Sequence, residues 1–110
     1  MQNTLIVDLN DDNFTSVIEK GTVLVDFYRQ VGCQYCRMLV PVLEQFALEM
    51  KDKVIVAKVD VFISPKTTTE FQITSVPTLI LFHQGKPVQR LIGLQDLKTL
   101  KTLLATSLVP

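Results

Sequence analysis

Apolar positions recur along this chain in two rhythms, and each rhythm predicts a type of element. Thr4-Leu5-Ile6-Val7-Asp8-Leu9 is a short apolar-rich run that reads as a strand. It ends at Asn10-Asp11-Asp12, which offers N-cap oxygens and first-turn acids to a following helix. Within that helix Phe14, Val17 and Ile18 keep i, i+3, i+4 spacing, and Gly21 supplies a residue able to end it in a left-handed conformation. Val23-Leu24-Val25-Asp26-Phe27-Tyr28 is almost continuously apolar, as a central strand covered on both faces must be, and Asp26 is the anomaly in it.

Met38, Leu39, Val42, Leu43, Phe46 and Met50 return to helical spacing and predict a long amphipathic helix. Pro41 falls well past its first turn, where the missing donor and the ring clash predict a kink. Residues 53–61 read as a β-rich run, and residues 65–71 as a short helix or turn. Residues 78–82 and 88–92 predict two strands joined through His83-Gln84-Gly85-Lys86-Pro87, hence an antiparallel hairpin. Leu97, Leu100, Leu103 and Leu104 mark a terminal amphipathic helix with Lys98 and Lys101 on its exposed side. The order β-α-β-α-β-(α)-β-β-α predicts an α/β fold, a mixed sheet with helices on both faces. There is no internal repeat, low-complexity tract or linker-like stretch, so the expected organisation is one domain over residues 1–110.

Composition narrows the class of function. The 47% hydrophobic content fills a core without disulfide or metal staples. Eleven Lys plus Arg balance eleven Asp plus Glu, so there is no global basic field of the kind that drives nucleic-acid binding. No apolar run approaches the ~20 residues that cross a bilayer, and the amino-terminal stretch lacks the cationic and apolar regions of a secretory signal. The expectation is a cytoplasmic protein with neither a membrane nor a nucleic-acid partner.

Two cysteines are too few for a secreted disulfide framework, and they stand as Cys33-Gln34-Tyr35-Cys36. Random placement would give this spacing only about 2 times in 100. The pair falls between a buried strand and a helix start, where free backbone N–H groups and the helix dipole favour a thiolate on Cys33. Cys36 lies one turn deeper on nearly the same face, within reach of the first sulfur, so one thiol can attack and the other resolve. The lone His83 lies on the predicted hairpin, too isolated to complete a metal shell, and reads as a solvated loop-edge residue. Phe62-Ile63 reads first as core and second as a contact surface.

This arrangement resembles the thioredoxin family from about Thr4 to Leu104. The residues that carry the resemblance are Val23-Leu24-Val25-Asp26-Phe27, Cys33-x-x-Cys36-Arg37-Met38 with Pro41, Lys58 within Val56-Ala57-Lys58-Val59-Asp60, Ser75-Val76-Pro77-Thr78, and Gly85 and Gly93. The resemblance implies a thioredoxin fold, a central mixed five-stranded sheet flanked by four helices. It implies a thiol-disulfide oxidoreductase that reduces protein disulfides without a bound cofactor and is recharged by a reductase. Carried over position by position, Cys33 is the nucleophile and Cys36 the resolving thiol. Asp26 beneath them assists proton removal from Cys36, its acidity weakened by burial and restored by Lys58. Pro77, in cis, holds the Val76 backbone where an extended substrate can pair with it. Val31, Gly32, Gln34, Tyr35, Val76 and Gly93 surround the sulfur as the docking surface, and the protein acts as a monomer.

The sequence also departs from the family. Six residues separate Asp26 from Cys33, one more than usual, and both of the family's usual tryptophans there are absent. Gln34-Tyr35 replaces the Gly-Pro of thioredoxins, and Tyr35 is similar to the tyrosine of glutaredoxins. Two rival readings follow from these changes: a protein-binding or chaperone-like module with little redox turnover, and a glutaredoxin-like or isomerase-like enzyme.

Overall fold

The computed structural model describes residues 5–107; Thr4, the expected start of the first strand, lies outside them. In chain order the elements are β1 (Ile6–Leu9), α1 (Phe14–Ile18), β2 (Thr22–Tyr28), α2 (Gln34–Glu49), β3 (Ile55–Asp60), α3 (Pro65–Glu70), β4 (Thr78–His83), β5 (Lys86–Ile92) and α4 (Leu97–Ser107). The strands form one sheet in the order β1-β3-β2-β4-β5. β1, β3 and β2 run parallel, while β4 is antiparallel to β2, and β5 to β4. This is the mixed five-stranded sheet with four helices that the element order predicts.

β2 lies at the centre, and its alternation sorts the core. Leu24 joins Leu39, Leu43 and Phe46 of α2, Leu100 and Leu104 of α4, and Val56, Leu79 and Leu81 of the neighbouring strands. Val23, Val25 and Phe27 point the other way, toward Phe14 and Ile18 of α1, with Phe71 beyond the end of α3 packed against them. Both faces are therefore covered, which is why the strand reads as a continuous apolar run. α2 continues through Pro41, which sits on its exposed side.

Several local expectations are corrected. Asn10, Asp11 and Asp12 after β1 do not cap α1, whose N-cap is Asn13 without a side-chain bond. Asn10 Oδ1 instead accepts from the amides of Asp12 and Asn13, closing a turn on itself. Asp11 reaches across to α3, accepting from the amides of Lys66 and Thr67 and from the Thr67 hydroxyl. An oxygen distant in sequence has thus taken over the capping that Ser64, buried at the N-cap, does not provide. Gly21 is not the capping residue of α1, which ends at Ile18 with Glu19 as its C-cap; its φ of +134°, a backbone that favours glycine, instead serves the entry into β2.

The hairpin is tighter than expected. Gln84 and Gly85, with φ of 52° and 86°, form a two-residue turn, so Lys86 and Pro87 already belong to β5. His83 correspondingly lies in β4, half-buried, with Nδ1 2.9 Å from Thr22 Oγ1. It is a cross-strand partner, not a solvated loop residue. Phe62 and Ile63 are 76% and 71% exposed and do not enter the core. After β3 the chain folds back on Asp60, whose carbonyl takes the amides of Ile63 and Ser64 and whose carboxylate takes that of Phe62, so the turn tip faces outward.

Candidate active site

Three segments meet at one end of the sheet: the C-terminal end of β2 with the start of α2, the loop entering β4, and the loop leaving β5. Cys33 is the N-cap residue of α2, with extended backbone (φ −126°, ψ 96°), and the Cys36 amide donates to its sulfur at 3.1 Å. The sulfurs are joined in a disulfide, and both cysteines are buried, at 6% and 3% exposure. A helix start therefore aims an otherwise unpaired N–H at Cys33 Sγ, an arrangement that stabilises negative charge there once the bond is reduced.

The Val76–Pro77 peptide is cis, and the Val76 carbonyl oxygen lies 3.9 Å from Cys33 Sγ. Gly93 closes the other side, its amide donating to the Pro77 carbonyl at 2.8 Å. Cys33, Val76, Pro77 and Gly93 are thus brought together from three separate stretches of sequence. Val31, Gly32, Gln34 and Tyr35 are all exposed, with Val31 and Tyr35 at 73% and 58%. Gly32 has a φ of +75°, a backbone that favours glycine immediately before the cysteine.

Asp26 is buried at 4% exposure, and its Oδ1 has no hydrogen-bond partner. It follows Leu24 by two residues on the face that packs against Leu39 of α2, so it lies beneath the first turn of α2, where Cys36 is buried. Burial pushes its carboxyl up to about 7, against the opposing pull of the Lys58 cation. Neighbouring groups follow the same line across the sheet. Asp8, Lys58 and Asp26 are register partners on β1, β3 and β2.

Lys58 does not form a direct ion pair with Asp26. Its Nζ lies 3.7 Å from Asp8 Oδ1 and 5.6 Å from the centre of the Tyr28 ring. The lysine is shared between an exposed acid and an aromatic face, and acts on Asp26 from a distance, which is why it offsets only part of the burial effect. The Tyr28 phenol is held above its ordinary value, first by burial and then by the carboxylates of Asp60, Asp8 and Asp26. Asp8 and Tyr28 were not legible as members of this cluster; β-sheet register was the only signal that could have found them.

Arg29, which by sequence reads as a solvated charge or as a cation favouring the Cys33 thiolate, is half-buried and bonded to the backbone. Its Nε donates to the Val31 carbonyl at 2.9 Å and its Nη2 to the Gly32 carbonyl at 3.0 Å, pinning the loop that leads into Cys33. The dithiol, a buried acid titrating near neutrality and an exposed backbone edge beside the sulfur suit exchange between this disulfide and those of other proteins.

Comparison with known proteins points the same way. The thioredoxin family model matches residues 5–106. The chain is similar to the thioredoxin of Alicyclobacillus acidocaldarius subsp. acidocaldarius, with 50% identity over 98 residues, covering 88% of this chain and 92% of that protein. It is 43% identical to the thioredoxin of Chlamydia muridarum over 97 residues, 88% of this chain and 93% of the relative. It is 38% identical to a Staphylococcus aureus thioredoxin over 99 residues, 90% and 94% of the two chains.

Proposed function

Since the chain belongs to the thioredoxin family and is a thiol-disulfide oxidoreductase, we propose that it reduces disulfides of protein substrates through Cys33 as nucleophile and Cys36 as resolving thiol. The observation that carries this assignment of roles is the placement of Cys33 Sγ at the mouth of α2, against the Val76 carbonyl and under the Cys36 amide. In the reduced protein the Cys33 thiolate attacks a substrate disulfide. A Cys33–substrate bond forms, the substrate S–S bond breaks, and the departing thiolate takes up a proton. Cys36 then gives its proton to the Asp26 carboxylate and attacks Cys33. The Cys33–Cys36 bond forms, the mixed disulfide breaks, and a second substrate thiol is released.

Two electrons have passed to the substrate, and a reductase restores the dithiol with two more. Asp26 suits the proton-accepting role because a base works best when its pKa lies near the operating pH, and burial has moved it to about 7. Lys58 tunes that acid from its place beside Asp8. The backbone of Val76, presented by Pro77, pairs with an extended substrate segment, and Val31, Gly32, Gln34, Tyr35 and Gly93 form the rim around it. The exchange needs no bound cofactor. The proposed setting is the cytoplasm, as a monomeric carrier of electrons in redox homeostasis; among the described residues no helix is long and apolar enough to cross a membrane.

Incubating the reduced Cys36→Ser protein with a disulfide-bonded protein such as insulin tests the assignment. A stable mixed disulfide on Cys33 is the expected result. Failure to trap it, with parental turnover retained, would reject these roles.

A further inference from the structure

The loop ahead of Cys33 is one residue longer than the family's usual pattern, and Arg29 holds it. A guanidinium carries five N–H groups. Two of those on Arg29 are occupied by the Val31 and Gly32 carbonyls, which leaves three with no acceptor among the described residues, and no carboxylate there pairs with the cation. The side chain borders a cavity of about 420 Å³, whose other walls include Val61, Thr68, Ser75 and Val76. Thr68 turns its hydroxyl toward the carbonyls of Ser64 and Val61, so its donor is already used. The cavity therefore joins a half-buried, unneutralised cation to the backbone edge beside the nucleophilic sulfur.

We propose that this cavity is a subsite for a carboxylate side chain, an Asp or Glu close to the substrate cysteine. The inference deepens the functional reading and rests on substrate docking along Val76. The planar fork of an arginine matches a carboxylate geometrically as well as electrically, and partial enclosure by Val61 and Val76 reduces screening by water. A strand lying along Val76 sends alternate side chains to opposite sides, so a residue one or two places from the substrate cysteine falls about 3–7 Å along the chain from the sulfur. Val76, whose carbonyl lies 3.9 Å from Cys33 Sγ, lines the same cavity as Arg29. Since the proposed substrates are protein disulfides, the anion that reaches this wall is a side-chain carboxylate.

The test uses the Cys36→Ser protein, which retains Cys33 alone, equilibrated with the disulfide dimers and free thiols of two synthetic peptides. The peptides share one cysteine and differ only by Glu or Gln at one of the places −2, −1, +1 or +2. Attack by Cys33 on a dimer forms the protein–peptide bond and releases one peptide thiol, and later exchanges are thiol for thiol with no net oxidation. Mass spectrometry reads the ratio of the two mixed disulfides, and the same exchange on glutathione gives the intrinsic ratio of the peptides.

At one or more places the Glu peptide is expected on Cys33 in roughly threefold to tenfold excess over the glutathione ratio. The excess should vanish with Arg29→Gln, return in part with Arg29→Lys, and shrink as salt is raised. A ratio equal to that on glutathione at all four places, or an excess that survives Arg29→Gln, overturns the subsite. N-methylating the peptide amides around the cysteine separates this outcome from failure of the docking reading. Loss of trapping for Glu and Gln peptides alike supports strand pairing at Val76 whatever their ratio, and unchanged trapping rejects that pairing while the ratio still reports on Arg29.

Discussion

The two faces of the central sheet are built to different ends, and β2 belongs to both. Its odd residues Val23, Val25 and Phe27 enter a core that includes four phenylalanine rings. Phe14 lies 5.5 Å from Phe82 and 5.4 Å from Phe71 between ring centres, and Phe71 meets Phe82 edge-on at 5.2 Å. This face buries apolar area in favourable aromatic geometry and places no ionisable group of β2 inside. The even residues begin in the same way with Leu24, then place Asp26 under α2 and Tyr28 beside Lys58. One face maximises burial, whereas the other accepts a buried carboxyl whose Oδ1 has no hydrogen-bond partner and whose burial Lys58 offsets only in part. The two-residue alternation of a single strand separates the apolar face from the one that bears the buried acid.

That division can be broken most sharply at the sulfur itself. Cys33→Ser should reduce disulfide reduction to the uncatalysed rate, measured with insulin, while leaving the denaturant midpoint of the reduced protein nearly unchanged. A mutation on the aromatic face should do the reverse. Phe14→Ala removes a ring in contact with three others and should cost about 3–5 kcal/mol in a urea melt, with turnover per folded molecule retained. If turnover per folded molecule fell in that variant as well, the two faces would not be separable.

Asp26→Asn should both stabilise the protein and slow it. The folded carboxyl titrates at about 7 and the unfolded one near its ordinary value of 3.8, so folding favours the protonated form. Parental stability from this group is present in full below the unfolded pKa and is lost as pH rises through the folded value. The gain from Asn should therefore be smallest near pH 4, grow as pH rises and level off above about 7, reaching roughly 2–4 kcal/mol. Paired urea melts at pH 4.5 and 8 would measure it, and an equal gain at both would assign the effect to packing instead of charge.

The smallest effect belongs at the aromatic-face end of the molecule, where Asp11 caps α3. Its carboxyl is held below the ordinary range, chiefly by the Thr67 amide, so its contribution is present above the unfolded pKa and lost as pH falls through the folded one. Asp11→Ala should lower the melting temperature at pH 7 by less than Asp26→Asn raises it, with turnover unchanged. The difference between parent and variant should shrink in acid; a constant difference would make the role of Asp11 independent of its charge.

Local pattern located most of the elements because hydrophobic period is a local property. β2 and α2 fall close to where Val23 to Tyr28 and the Met38, Leu39, Val42, Leu43 spacing placed them. Cys33 at a helix start was equally legible, since a CxxC between an apolar run and an amphipathic run needs no knowledge of the rest of the chain. Three of the errors fell where a polar side chain had two possible partners. Asn10 bonded to its own turn, Asp11 crossed to α3, and His83 found Thr22 across the strands. Phe62 and Ile63 read as core by type but sit on a turn whose bonds converge on Asp60.

The sequence by itself determined the alternation of strands and helices, the burial of an acid in the central strand and the pairing of two thiols at a helix mouth. Each of these follows from residue type and spacing within a few turns of chain. Only the tertiary structure decided that Asp8 would draw Lys58 aside from Asp26, that Gly93 would bond to Pro77, and that Arg29 would face a cavity shared with Val76. Those contacts join residues from 16 to 50 positions apart, and their existence depends on strand order and register. Hydrophobic alternation fixes which face a side chain takes, but leaves open which distant neighbour it meets there.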